Sequence, residues 1–127
     1  MDTVNDSRIN PRVPLEIEVN VKFADRREVQ LQSENISLTG IMIAATQQVY
    51  DMLSHRKNPE AINTQPELLV SFSMPRKATE NLAVNAQCRA IHIRRMSQNK
   101  YLIGLKFLQL NQTAASAIQH YIDKNLA

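Results

Sequence analysis

From Leu15 to Phe23 the apolar residues fall on every second position, as Leu15, Ile17, Val19, Val21 and Phe23. Glu16, Glu18, Asn20 and Lys22 stand between them. Successive side chains of a strand point to opposite faces, so this run is apolar on one side and polar on the other. It predicts a half-buried strand of the kind found in antiparallel sheets. Ala24-Asp25-Arg26-Arg27 follows as a turn, and Val29 and Leu31 restart the alternation in a strand that runs toward Ser37. After Gly40, Ile41 to Ala45 reads as a short and more fully apolar strand.

The rhythm breaks between Thr46 and Glu67. Val49, Met52 and Leu53 have the i, i+3, i+4 spacing of a short helix, placed near 47–56. Lys57 to Pro66 holds two prolines among polar residues and reads as a loop. Strands then resume. Leu68 to Met74 is one, ended by Pro75, and Leu82 to Arg95 is a longer one whose apolar face changes near Ala90, which predicts a bulge. Ser97 to Lys100 is a turn, and Tyr101 to Leu108 is the returning strand. Ala114, Ala117, Ile118, Tyr121, Ile122 and Leu126 form one stripe of a closing helix over 111–126, with Asn111 or Thr113 as its N-cap. Six strands and a terminal helix predict a mostly β fold, a small six-stranded antiparallel β-barrel with a C-terminal α-helix.

Composition narrows the class. The length suits a single domain, over 8–127, behind a flexible N-terminus at 1–7. Trp is absent, so the core must be built from Ile, Val, Leu and Met. The formal net charge of +3 is mild, and pairs such as Arg26-Arg27, Arg56-Lys57, Arg76-Lys77 and Arg94-Arg95 are scattered, with no clustered footprint of a DNA binder. Cys88 stands alone, which excludes an intrachain disulfide and a CxxC site. There is no signal-peptide pattern and no apolar run of membrane-spanning length, so the expectation is a cytoplasmic protein.

Two short motifs flank the first alternating strand. Arg8-Ile9-Asn10-Pro11-Arg12 is an R-x-x-x-R spacing, and Asn35-Ile36-Ser37-Leu38-Thr39-Gly40 is an N-x-S-x-x-G spacing where one strand turns into the next. This ordered pair, with the strand between its members, resembles the signature of the PilZ domain family, small bacterial β-barrels that bind the second messenger cyclic di-GMP. Gly104, in Leu102-Ile103-Gly104-Leu105-Lys106-Phe107, is similar to the G-x-x-F pattern of the family's last barrel strand. The resemblance implies a ligand site made of Arg8, Arg12, Asn35, Ser37 and Gly40, with Ser7 and Gly104 beside it. It implies no cofactor, no metal and no catalytic residue.

The chemistry fits that implication. Guanine presents O6 and N7 as adjacent acceptors that an arginine fork matches with two hydrogen bonds, worth about 1–3 kcal/mol of discrimination. A guanidinium also stacks on a purine or clamps a phosphate, which Lys cannot do. In an extended arm over 8–14, Arg8 and Arg12 stand roughly 13 Å apart. Asn35 and Ser37 are two residues apart, so on a strand they share a face and form the opposite wall. Gly40 allows close approach of ligand or chain, or a positive φ. The family often carries Asp where Asn35 stands; Asn removes a charge from the site but keeps a carbonyl that accepts from the N1–H/N2–H edge of guanine. Ser7, with no guanidinium to stack a second ligand, leans toward one ligand per chain. Fixing Arg8 to Arg12 costs about 5–10 kcal/mol of backbone entropy, which Pro11 lowers.

Each motif also has an ordinary reading. Two arginines four apart recur as solvated charges, and Asn and Ser in a turn often bond to nearby backbone. His55, His92 and His120 lie in separate elements without ligand spacing, Cys88 alternates with core residues, and Ser37 lacks a nucleophile elbow. The order of the motifs around an alternating strand favours a non-enzymatic cyclic di-GMP receptor. Its output passes through an unidentified effector protein or a changed homo-oligomer, in motility, adhesion or virulence. A non-binding interaction module on the same barrel is the alternative. A single-strand nucleic-acid binder would want an aromatic platform, and the three Phe and three Tyr are scattered.

Overall fold

The structure is a computed structural model, and it describes residues 10–54, 67–77 and 80–126. The strands are β1 (Val13–Pro14), β2 (Glu18–Lys22), β3 (Glu28–Ile36), β4 (Gly40–Ala45), β5 (Glu67–Lys77), β6 (Glu80–Ser97) and β7 (Lys100–Gln109). Helix α1 (Gln47–Ser54) follows β4, and α2 (Gln112–Asn125) follows β7. Ser7, Arg8, His55, Arg56 and the loop expected from Lys57 to Pro66 lie outside the described residues.

All pairings are antiparallel, in the order β1-β3-β2-β5-β6-β7-β4, and a further β3–β4 pairing closes the ring. The expected six-stranded barrel is therefore β2 to β7. β1 is an extra strand laid along the end of β3, with Val13 opposite Ile36 and Pro14 opposite Asn35. The period-two rows point inward as the alternation requires: Val19 and Val21, Ile41 and Ile43, Val70 and Phe72, Val84 and Ala86, and Ile103 and Leu105 are all buried. Phe72 and Phe107 stack at 6.5 Å between ring centroids, and the remaining core is mostly aliphatic.

The strand expected from Leu15 to Phe23 is regular only from Glu18 to Lys22. Ser33 explains the break. It occupies the inward row after Val29 and Leu31, and it is fully buried. Its Oγ donates to the Leu15 carbonyl and accepts from the Ile17 amide at 3.0 Å. A hydroxyl thus replaces a rung of the ladder, and β3 itself shifts register between Ser33 and Asn35. The arm expected over 8–14 is consequently part of the barrel from Val13 onward, with Val13 and Leu15 buried.

Pro75 does not end its strand. β5 runs on to Lys77, with Pro75 opposite Asn81. β2 pairs with β5 only over Leu69 to Ser71, so Pro75 stands where β5 has one neighbour and a missing N–H costs little. The expected bulge near Ala90 is present, as a register shift between Ala90 and His92. Asn111 caps α2 by accepting from the Ala114 amide at 2.8 Å, whereas Thr113 lies inside the helix. Ala114, Ala117, Ile118 and Ile122 face β5 and β6, Tyr121 is half-buried, and Leu126 is exposed at the C-cap rather than in the stripe. Helix α1 is held on the barrel by Tyr50 stacked on Tyr101 at 4.4 Å, and by the Tyr101 hydroxyl donating to Gln47 Oε1 at 2.7 Å.

Candidate functional site

One residue of each motif meets the other on the outer wall of the barrel, Arg12 and Asn35. β1 lies along the end of β3, which sets Arg12 beside Asn35, and Arg12 Nη1 donates to Asn35 Oδ1 at 2.8 Å. Arg12 is exposed, yet the wall desolvates its guanidinium enough to lower its pKa from the ordinary arginine value. Arginine stays charged at any physiological pH. A guanidinium has donors only, so the Asn35 atom facing it must be the carbonyl oxygen, and the amide nitrogen points away as a donor.

Ser37 does not continue the face of Asn35. β3 ends at Ile36, and Ser37 is buried in the turn that follows. Its Oγ accepts from the Thr39 amide at 3.2 Å and lies 3.1 Å from Thr39 Oγ1, while its amide donates to the Gly40 carbonyl at 2.8 Å. The hydroxyl is spent on building the turn, as the ordinary reading of the motif has it. Gly40 takes no positive φ, so its role is close approach: an added Cβ would lie 2.2 Å from the Leu105 carbonyl oxygen in β7. Of the second motif, Asn35 faces outward, and Ser37 and Gly40 shape the β3–β4 connection behind it.

Strand register extends this wall beyond the motifs. Asn35 stands opposite Met42, Met42 opposite Gly104, and Gly104 opposite His92. This row crosses four strands, roughly 14 Å at ordinary strand spacing. Above and below it lie Gly40, Lys106 and Arg89, and Gln32, Ala44, Leu102 and Arg94. Gly104 leaves the middle of the row flat, and a Cβ there would only touch His92 Cβ at 3.4 Å. Together these residues offer a shallow floor edged by Arg12, Arg94 and Lys106, a geometry suited to a flat anion. Met42 and His92 carry no motif. Only the pairing of β4, β7 and β6 reveals them, although their outward parity was visible beside the buried Ile41, Ile43 and Ile103.

Among the described residues no group of His, Cys, Asp or Glu is placed to hold a metal ion, and no helix is long and apolar enough to cross a membrane. Cys88 is fully buried among core residues, and burial pushes its thiol pKa up to about 12.

No curated protein matches the chain. Solved structures share its fold. The inhibitor of motility MotI/DgrA of Bacillus subtilis is 16% identical with a TM-score of 0.70, over 91% of this chain and 49% of that one. The chain thus spans about half the length of that protein. The PilZ domain of Escherichia coli YcgR, solved with c-di-GMP, is 15% identical with a TM-score of 0.56, over 91% of this chain and 88% of that one. The PilZ domain of CeSA from a cellulose-synthesizing bacterium is 15% identical with a TM-score of 0.51, over 89% and 95% of the two chains. The family model described as the PilZ domain matches residues 6–124, which takes in both motifs, every strand and nearly all of α2. The chain belongs to the PilZ domain family.

Proposed function

We propose that the chain is a cytoplasmic receptor for cyclic di-GMP, without enzymatic activity, that holds the ligand on its outer wall and signals to an effector protein. The observation that supports this reading is the hydrogen bond from Arg12 to Asn35, a contact between one residue of each motif. The YcgR PilZ domain, similar in fold, was solved with this ligand.

Arg12 has four guanidinium donors beyond the one spent on Asn35, enough for a guanine O6/N7 pair or a phosphate. Arg8, four residues earlier, supplies the second fork from the arm. Asn35 presents its amide nitrogen, so at this position the wall offers donors to the O6/N7 side of guanine rather than an acceptor to N1–H/N2–H. Ser37 and Gly40 act through the turn that sets Asn35, and Gly104 keeps the floor open. Ser7 adds no guanidinium for a second ligand, which supports one ligand per chain. With Val13 and Pro14 paired to β3 and Arg12 bonded to Asn35, ligand capture has little of this end of the arm left to order.

Calorimetric titration with cyclic di-GMP tests the reading. Saturable binding by the unaltered chain is expected, with at least about tenfold weaker binding for Arg8→Ala and for Arg12→Ala. Unchanged affinity in both variants would refute the arm mechanism. Absence of binding by the unaltered chain would leave a non-binding interaction module on the same barrel.

A further inference from the structure

Charge is segregated in this fold, although the basic pairs look scattered along the sequence. Between Asn81 and Ile122 there is no Asp or Glu, while Arg89, Arg94, Arg95, Lys100 and Lys106 all fall there. That stretch is β6, β7 and most of α2. Neighbouring strands answer part of it: Glu67 pairs with Arg89 at 3.2 Å, and Glu34 reaches Lys100 at 4.0 Å. Among the described residues, Arg94 and Arg95, both exposed, are not answered in this way. Arg95 instead lies over the Tyr101 ring at 5.8 Å and donates to the Ser97 and Gln98 carbonyls, which fixes the β6–β7 turn.

The same end of β6 is an edge. Pairing with β5 stops at Glu67 opposite Arg89, so from Ala90 to Ser97 the strand has β7 as its one strand neighbour among the described residues. Two register shifts interrupt this stretch, between Ala90 and His92 and between Arg95 and Ser97. Each inserts one residue, and the inserted residues are Ile91 and Met96. Bulges re-aim side chains, and these two are turned to solvent, 49% and 47% exposed, with Ile93 between them at 38%. Three of the five exposed large apolar side chains of the described residues are thus gathered on one edge. Bulges and cations on an edge can simply prevent self-pairing. The inserted residues here are apolar and exposed, which self-protection alone does not call for.

We propose that the edge of β6 from Ala90 to Ser97 docks an extended acidic segment of a partner protein, which joins the sheet as an added strand. The backbone groups left without a strand partner among the described residues supply the hydrogen bonds, Ile91, Ile93 and Met96 contact alternate apolar side chains, and Arg94 and Arg95 select for acid. A second copy of this chain fits poorly, because two such edges set arginine near arginine. The edge shares Arg94 with the proposed ligand floor, and the peptide is titrated in the absence of nucleotide.

The test uses the full chain and a fluorescein-labelled peptide that spans the edge and alternates Glu with Ile or Val. Saturable anisotropy change is expected, weakened by salt, with amide-exchange protection concentrated at 90–97. Ile91→Glu combined with Arg94→Glu should weaken binding at least about tenfold. Both side chains are exposed, so an unchanged melting temperature would show that the variant folds. Leu69→Glu, at an exposed apolar position on β5, should bind as the unaltered chain does. Equal binding of a peptide alternating Lys with Ile, protection elsewhere, or no effect of the double variant would overturn the proposal. So would absence of peptide binding, dimerisation through this edge, or tighter binding of phosphatidylglycerol vesicles or a DNA oligonucleotide through the same residues.

Discussion

Replacing Gly40 by Ala separates two reasons a motif can hold a glycine. A methyl carbon built there lies 2.2 Å from the Leu105 carbonyl oxygen, 3.2 Å from its carbon and 3.4 Å from Lys106 Cα. Real contacts of this kind essentially never fall under 3.0 Å. The atoms met are backbone, held on both sides by the β4 and β6 ladders, so no side chain can swing aside. β4 must retreat from β7 by most of an ångström at the Gly40–Lys106 end of their ladder. Overpacking of this order costs about 1–3 kcal/mol, and a stretched ladder bond adds about 1 kcal/mol. A total of about 2–4 kcal/mol corresponds to a melting temperature lowered by roughly 8–16 °C for a domain of this size. Gly104→Ala is the comparison. Its methyl would sit 3.4 Å from His92 Cβ with no positive φ to violate, so stability should stay within about 1 kcal/mol of the original. Urea and thermal unfolding followed by circular dichroism read both. If Gly40→Ala melts with the unaltered protein yet loses ligand, the glycine serves the ligand and not the closure of the barrel, and the steric reasoning fails.

Arg12→Lys should recover little of the cyclic di-GMP affinity lost in Arg12→Ala, because a single ammonium cannot hold Asn35 and also fork onto a base edge; calorimetry in which Lys matched Arg would refute this. The inosine analogue, cyclic di-IMP, lacks only the 2-amino groups and should bind within about threefold of cyclic di-GMP, since the outward atom of Asn35 is a donor; a loss beyond about tenfold would show that the amide turns over to read N2. Ser33→Ala leaves the Leu15 carbonyl and the Ile17 amide buried without their partner and should cost about 2–4 kcal/mol, seen as a lower urea midpoint at unchanged slope. Burial raises the Cys88 thiol to about 12, above its unfolded value of 9.0, so its contribution is intact below pH 9 and is lost as pH rises toward 12. Stability should fall by about 1.4 kcal/mol per pH unit across that window relative to Cys88→Ala, and native Cys88 should resist alkylation until the chain unfolds.

The inward face of the barrel was legible because burial imposes a period of two, and Val19, Val21, Ile41, Ile43 and Ile103 obey it. The helix boundary at Asn111 was legible for a local reason, a side chain that caps its own helix. Long-range choices were not. Ser33 reads as an interruption of an apolar row, and only the folded chain shows its hydroxyl bridging Leu15 and Ile17. Pro75 reads as a stop until β2 proves too short to need an N–H there. The motif pair put Arg12 and Asn35 in one proposed site, and the fold sets the two side chains in contact. Ser37 was assigned to the wrong surface because strand parity was carried one residue past the end of β3. Met42 and His92 fall in one row with Asn35 through three successive ladders, which no stretch of sequence encodes.

The Tyr121 hydroxyl donates to the Pro14 carbonyl at 3.0 Å, across 107 positions of sequence. The closing helix is thereby tethered two residues beyond Arg12, and both ends of the described chain share one mechanical joint. A displacement of the strand that follows Arg12 would pull on this bond, so a fluorophore placed past Asn125 should respond to it.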